Sequence, residues 1–395
     1  MKKKSFIIIL FCILAILSIF IVACNGNKNN DKNRIISAKE WKTQYPYQYE
    51  SYMKDLELDE VVNIPDEYQF LSVIYAGSSY GKYYIEPRGH NYSLTDIGET
   101  GRPHPKANCL TCKSSDFTYM VNTEGVEVYS REFDEVYEKL NELIGCYTCH
   151  ENTGSEVVIT HSYLKNALGE NIKDYNINNL SCGQCHCEYY FLKSTDEAKL
   201  AYTGLDNMNP EYILNFYIEN NVAETTHGLT GTKIPKATHP EFETYLGKGS
   251  IHASFLDCAD CHMGECTAAD GTTYSDHFFT TPLDKPEVLE TCKGCHPYDM
   301  AEYVHSVQKG VEDRTIEVGQ ELTNMILALA AYKDSGKFTD EQLQPIRDLH
   351  REAQWYWDFV FGENSNGAHN SSLSYDCLNK AETAINKAMA LMAAM

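Results

Sequence analysis

The sequence predicts a mainly α-helical chain with little β structure, and three observations carry that expectation. Ten of its 15 cysteines fall in five Cys-x-x-Cys pairs, four of them followed directly by histidine. The stretches between the pairs hold clusters of Gly, Asn, Asp and Pro, which leaves little room for long regular sheets. After Pro297 the pairs stop, and apolar residues recur at helical spacing to the C-terminus.

In chain order, the first element is an export signal. Lys2, Lys3 and Lys4 precede the apolar run "FIIILFCILAILSIFIVA", which ends beside Cys24. Ile21-Val22-Ala23-Cys24 resembles a bacterial lipobox. The expectation is therefore a signal peptide over 1–23 and a lipidated Cys24; an uncleaved membrane anchor is the alternative, since the run is about long enough to span a bilayer. Residues 24–40, beginning with the polar stretch "NGNKNNDKNR" at 25–34, read as a flexible tether. Either reading leaves 41–395, taken as a single catalytic domain, on the periplasmic or extracytoplasmic side.

The net charge is −23, and loss of the three signal lysines makes it −26. That balance excludes nucleic acid as a partner, which needs a basic surface. An anionic substrate would need a locally positive entrance.

The pairs are "CLTCK" (109–113), "CYTCH" (146–150), "CGQCH" (182–186), "CADCH" (258–262) and "CKGCH" (292–296). On a short helical turn, two thiols at this spacing can each form a thioether to one haem vinyl group, and the adjacent histidine then lies under the iron. Zinc half-sites or disulfides are the alternatives, but neither needs an invariant fifth position. The expectation is five haem c groups on Cys109, Cys112, Cys146, Cys149, Cys182, Cys185, Cys258, Cys261, Cys292 and Cys295. His150, His186, His262 and His296 are proximal ligands. With so many macrocycles, the porphyrins supply much of the apolar core, so the expected architecture is a multihaem cytochrome c fold. Cys187, Cys266 and Cys377 read as buried thiols or as one disulfide. Four six-coordinate haems need four distal ligands, and spacing alone cannot choose them from His90, His252, His277 and His369 beside His104, His161, His227, His239, His305 and His350.

The last element is helical. Val318, Leu322, Met325, Leu329 and Tyr332 form one seam. Thr339 and Gln342 form a capping-box pattern before Ile346, Leu349, Ala353, Trp357 and Val360. A third seam runs through Leu378, Ala381, Ile385, Ala388 and Met392. Long helices over about 300–395 suggest a homodimer interface, with an internal three-helix bundle as the alternative.

Taken in order, Cys-x-x-Cys-Lys followed by four Cys-x-x-Cys-His resembles the pentahaem, ammonia-forming cytochrome c nitrite reductase family. "RGHNYSLTDIGETGRP" (88–103), "CGQCHCEYYF" (182–191), "KATHPEFE" (236–243) and "AQWYWDFVFGENSNGAH" (353–369) resemble family blocks in family order. The resemblance implies Lys113 as proximal ligand of the active-site haem. It also implies His90, His252, His277 and His369 as distal ligands for the haems at 182–186, 292–296, 146–150 and 258–262. Arg102, Tyr189 and His239 would line the substrate pocket, although the loop from Arg102 to Lys113 is shorter than is usual in the family. A calcium beside the pocket would use Glu188, Tyr189, Lys236 and Thr238; the family's glutamine stands here as Thr238, which leaves calcium an open expectation.

The reading that results is six-electron reduction of nitrite to ammonium at the Lys113 haem, with electrons relayed by four bis-histidine haems. A quinol-oxidising membrane multihaem cytochrome is the implied donor. The alternatives are a non-catalytic electron-transfer cytochrome, or the same enzyme acting mainly on hydroxylamine or sulfite.

Overall fold

The protein's structure, a computed structural model, describes residues 34–395. The signal peptide, Cys24 and most of the tether lie outside the described residues. No helix among the described residues is long and apolar enough to cross a membrane. Residues 36–395 form one unit. Its first helix, Ala38–Trp41, lies partly inside the segment read as tether, because Ser37 and Glu40 close a reciprocal capping box.

From there to residue 298 the chain is a succession of short helices and turns. Its longest helices are α1 (Ser115–Glu124) and α2 (Pro210–Glu219). Each starts where a side-chain oxygen accepts a backbone N–H: Ser114 from Phe117, and Asn209 from Tyr212 with Pro210 at the first position. Among the described residues, the strands form three two-stranded antiparallel pairs. Tyr190–Phe191 pairs with Ala198–Lys199, Thr225–Thr226 with Lys233–Ile234, and Glu265–Thr267 with Thr273–Ser275. The expectation of helix with little sheet holds.

The C-terminal texture is different. α3 (Met300–Asp334), α4 (Asp340–Phe361) and α5 (Ser371–Ala393) pack on one another. Asp299, Thr339 and Asn370 cap their N-termini, and Thr339 with Gln342 makes the capping box expected from the sequence. Val318, Leu322, Met325 and Leu329 are wholly buried, and Tyr332 reaches across to donate to the Met392 carbonyl at 2.6 Å. Each buried side chain of this size contributes roughly 1.5–3 kcal/mol. Trp355, Trp357 and Phe359 fill the space between α4 and the haem region, and the two indole N–H groups donate to the carbonyls of Pro210 (3.0 Å) and Thr315 (2.8 Å). α3 crosses here at Gly319, where a Cβ would lie 3.0 Å from Phe70 and from the Trp357 indole nitrogen.

Cys187 and Cys377 are buried free thiols, and Cys266 is a half-buried one that points to Glu287 at 3.6 Å.

Candidate functional site

Four of the five cysteine pairs lie on helical turns. Cys146–His150 and Cys258–His262 are helices themselves. In the pairs at 182–186 and 292–296, the histidine N–H donates to the first cysteine's carbonyl at 3.0 and 2.9 Å. That turn carries the imidazole to one side of both thiols, as the spacing requires. The Lys113 pair departs from it. Cys112 has φ of +57°, a left-handed conformation that costs a non-glycine residue roughly 1–2 kcal/mol, and Lys113 N–H bonds back only to the Leu110 carbonyl. The chain thus leaves the helical turn one residue before the lysine. Burial pushes the Lys113 ammonium down, toward the neutral amine that can bind a metal.

The histidines named by the resemblance come together in four pairs. Ring centres lie 6.4 Å apart for His90 and His186, 6.4 Å for His150 and His277, 6.2 Å for His262 and His369, and 6.0 Å for His252 and His296. Two metal–nitrogen bonds of about 2 Å each, plus the half-width of each imidazole, separate ring centres by about 6 Å, so the pairs fit an iron between them. The other ring nitrogen is also accounted for in four of these eight residues. Nδ1 faces the Glu156 carbonyl in His150 (3.1 Å), Thr280 in His262 (3.3 Å), Ser275 in His277 (2.8 Å) and the Glu363 carboxylate in His369 (2.6 Å). Such contacts fix the ring and leave Nε2 for a metal. The donor set and its spacing fit haem c.

The remaining histidines behave otherwise. His104 stacks on Phe133 at 4.8 Å. His227 and His350 pack on each other at 5.0 Å and are hydrogen-bonded to Val73, Thr230, Thr232 and Gln354. His161 lies with Cys112 and Cys185, their ligand atoms within 4.8 Å of one another. Since the two thiols belong to two different haem motifs, this cluster marks where the Lys113 motif adjoins the 182–186 motif. Gln184, inside the second of these, adds a further tie. Its side-chain oxygen accepts from Thr160 and His161 N–H (2.7 and 3.0 Å), while its amide donates to Thr148 of the 146–150 motif (3.1 Å). Nothing in the local spacing pointed to Gln184.

The pocket residues gather beside the Lys113 motif. Arg102 lies over the ring of Tyr80 at 4.7 Å, and its charge acts on Cys109, Lys113, Tyr80 and Glu224. Tyr189 shares three of those neighbours, Cys109, Tyr80 and Glu224. Burial raises its phenol well above the usual tyrosine range, so it keeps its proton at neutral pH. His239 joins through its neighbour: Thr238 donates its N–H and hydroxyl to Glu188 at 2.7 and 3.1 Å, and Glu188 precedes Tyr189. One pairing therefore ties together the segments that carry Tyr189 and His239. Glu188 also accepts from Tyr217 at 2.8 Å; burial pushes its carboxyl up to about 8 against these donors. Lys236 donates to Asp358 (2.8 Å) and the Ala237 carbonyl (2.6 Å) among the rings of Tyr75, Tyr80 and Tyr84, and its charge also acts on Glu188.

The cytochrome c nitrite reductase catalytic subunit of Desulfovibrio desulfuricans, a structure described with two calcium sites, is similar to this chain with a TM-score of 0.80 at 26% identity. The match covers 90% of this chain and 86% of that one. Two larger cytochromes are similar only with TM-scores of 0.42 and 0.40, too low to carry an argument. They are the outer cell wall cytochrome OcwA (19% identity, 75% of this chain and 48% of that chain) and an undecahaem S-layer cytochrome of Carboxydothermus ferrireducens (18%, 77% and 41%). The cytochrome c552 family model matches residues 37–395, so the chain whose motifs pair these histidines and isolate Lys113 belongs to the cytochrome c552 family.

Proposed function

We propose that the protein is an ammonia-forming cytochrome c nitrite reductase. The observation that carries the reading is the mismatch of five motifs with four histidine pairs. His90, His252, His277 and His369 each face a motif histidine, and no such ring is paired with Lys113. A haem held by Cys109, Cys112 and Lys113 would supply an iron able to bind nitrite and pass it electrons; the other four, between their histidine pairs, would supply the relay. The contact of the Lys113 motif with the 182–186 motif favours electron entry from that side.

Reduction of nitrite to ammonium takes six electrons and eight protons and releases two waters. Arg102 offers guanidinium N–H donors to the nitrite oxygens, and its charge locally offsets a strongly acidic protein. His239 holds a proton for a leaving oxygen, and Tyr189, kept protonated by burial, holds another. Glu188, the carbonyls of Tyr189 and Lys236, and the Thr238 hydroxyl form an all-oxygen set of the kind calcium takes. A cation there would offset the burial that pushes Glu188 up.

The finer assignments belong to the same proposal: residues 41–395 as one catalytic domain, a homodimer through the long helices, and a lipid anchor at Cys24 on the extracytoplasmic side. The donor would be a quinol-oxidising membrane multihaem cytochrome. Leu327, Tyr375, Met389 and Leu391, exposed on α3 and α5, support the dimer.

Reduced viologen and nitrite, with ammonium measured, test the reading. Haem-loaded protein should form ammonium, and Lys113→Ala should retain four haems while losing most turnover. No ammonium from protein carrying all five haems overturns it.

A further inference from the structure

His239 and His186 come from different parts of the chain, and Glu241 stands between them. The carboxylate is buried at the start of the helix Glu241–Tyr245. Its Oε1 lies 3.8 Å from His239 Nδ1, and its Oε2 lies 3.9 Å from His186 Nδ1. The two rings are 6.2 Å apart and inclined at 68°. Asn364 donates to Oε1, which anchors the carboxylate to the segment that continues to His369. Two polar atoms in this group are buried without a hydrogen-bond partner, His239 Nδ1 and Glu241 Oε2. His239 Nδ1 faces Oε1 across one gap, and Oε2 faces His186 Nδ1 across the other. A shift below 1 Å closes both contacts into charge-assisted hydrogen bonds.

We propose that Glu241 is a shared positioning residue, orienting His239 in the substrate pocket with one oxygen and His186, the axial residue of the neighbouring haem motif, with the other. The His186 half rests on the motif alone; the His239 half rests on the nitrite reductase reading above. With Nδ1 donated to Glu241, each imidazole presents Nε2 outward: to iron for His186, to substrate for His239. A carboxylate on the far nitrogen makes His186 a more basic ligand, which favours the oxidised metal and lowers that centre's potential. The same carboxylate holds the proton-bearing ring of His239 still. The residue that delivers protons and the ligand of the centre that delivers electrons therefore share one rigid support. His150, His262, His277 and His369 are each held by an oxygen that serves one ring only.

The test uses the haem-loaded, full-length protein carrying Glu241→Gln, an isosteric change that keeps an acceptor and removes the charge. A spectroelectrochemical titration without nitrite should find one of five midpoints raised and four unchanged. Viologen-driven nitrite reduction should lose roughly 10–100-fold in kcat with KM unchanged. Glu241→Asp, which restores the charge at a shorter reach, should recover part of both. Five unshifted midpoints in Glu241→Gln overturn the proposal, as does a shifted midpoint with undiminished kcat, because the support would then not be shared. If the parent protein makes no ammonium, the nitrite reading fails, while the titration still decides the His186 contact.

Discussion

Residues 37–298 and the helices α3–α5 bury apolar surface with different elements, short turns in the first and long seams in the second. In the helices, Val318, Leu322, Met325, Ile326 and Leu329 meet other side chains and none is accessible. In the haem-motif region, the side chains beside one histidine pair are open. Ile251 is 76% exposed and Phe255 61%, and both flank His252, whose ring faces His296. The helical part is a core of protein alone. The motif part also buries side chains of its own, Leu110, Phe117, Leu164, Leu180 and Ile213 among them, but on short helices and turns set between the cysteine motifs. Covalent cofactors let a chain dispense with sheets and long helices where they sit, but only there.

The largest effect should come from withholding the cofactor. A chain produced without haem attachment should lose amide-exchange protection across 37–298 while α3–α5 keep theirs. Hydrogen exchange with peptide mass resolution measures this directly. Uniform loss, or uniform retention, would break the comparison, because it would mean that the long helices and the motif region depend on the cofactor alike.

That contrast also explains what was legible beforehand. A Cys-x-x-Cys-His turn is local chemistry, so each motif can be recognised without the rest of the fold. The seams of α3–α5 are equally local, since their periodicity reports packing. α3 nevertheless starts at Met300, well before the seam at Val318, because Asp299 caps a polar first half that buries little beyond Val311 and Thr315. The distal histidines could not be chosen by spacing. Each meets a motif only through tertiary structure, and the resemblance alone named them. Glu241 and Gln184 were missed altogether: a carboxylate or amide between two motifs has no pattern in one dimension. The tether reading ran too far for the same reason, since the Ser37–Glu40 capping box holds a single helical turn that carries no apolar seam.

The two parts are joined by a buried ion pair. Lys236 from the pocket segment donates to Asp358 of α4 at 2.8 Å, and Asp358 also accepts from Tyr75 (2.5 Å) and from Ala237 N–H (3.1 Å). Burial works against the ammonium, but Asp358 outweighs it and keeps Lys236 charged. Lys236→Met would strand a buried carboxylate and should cost about 3–5 kcal/mol, read from denaturant unfolding of the holoprotein. The double variant Lys236→Met/Asp358→Leu should recover much of that loss, because no uncompensated charge remains. If the double variant is as unstable as the single, the pair is not the joint between the regions.

A smaller effect should appear with pH where α4 packs on the segment 227–232. His350 in α4 is wholly buried, its Nδ1 to Thr232 at 2.9 Å and its Nε2 to Gln354 at 3.0 Å, with His227 packed against it. Burial, and then the neighbouring His227, push His350 down to about 3 from its ordinary value near 6.5; His227 is pushed down too. His350 is therefore neutral in the folded protein at pH 5, whereas the unfolded chain binds a proton there. Its contribution to stability is complete above about 6.5 and should fall as pH drops below it, by up to about 1.4 kcal/mol per pH unit. The fall should end near pH 3 for His350, where the folded form takes up its proton. Lys333 acts on His227 in the same direction, and Arg347 donates to the Thr230 carbonyl at 3.0 Å on the same face. Unfolding midpoints at pH 7, 6 and 5 measure the slope, and His350→Gln should be flatter than the parent by about 1.4 kcal/mol per unit, whatever it loses at pH 7. An unchanged slope would mean that acid sensitivity arises among the haem-motif carboxylates instead, and the self-sufficient core would owe nothing to its buried histidines.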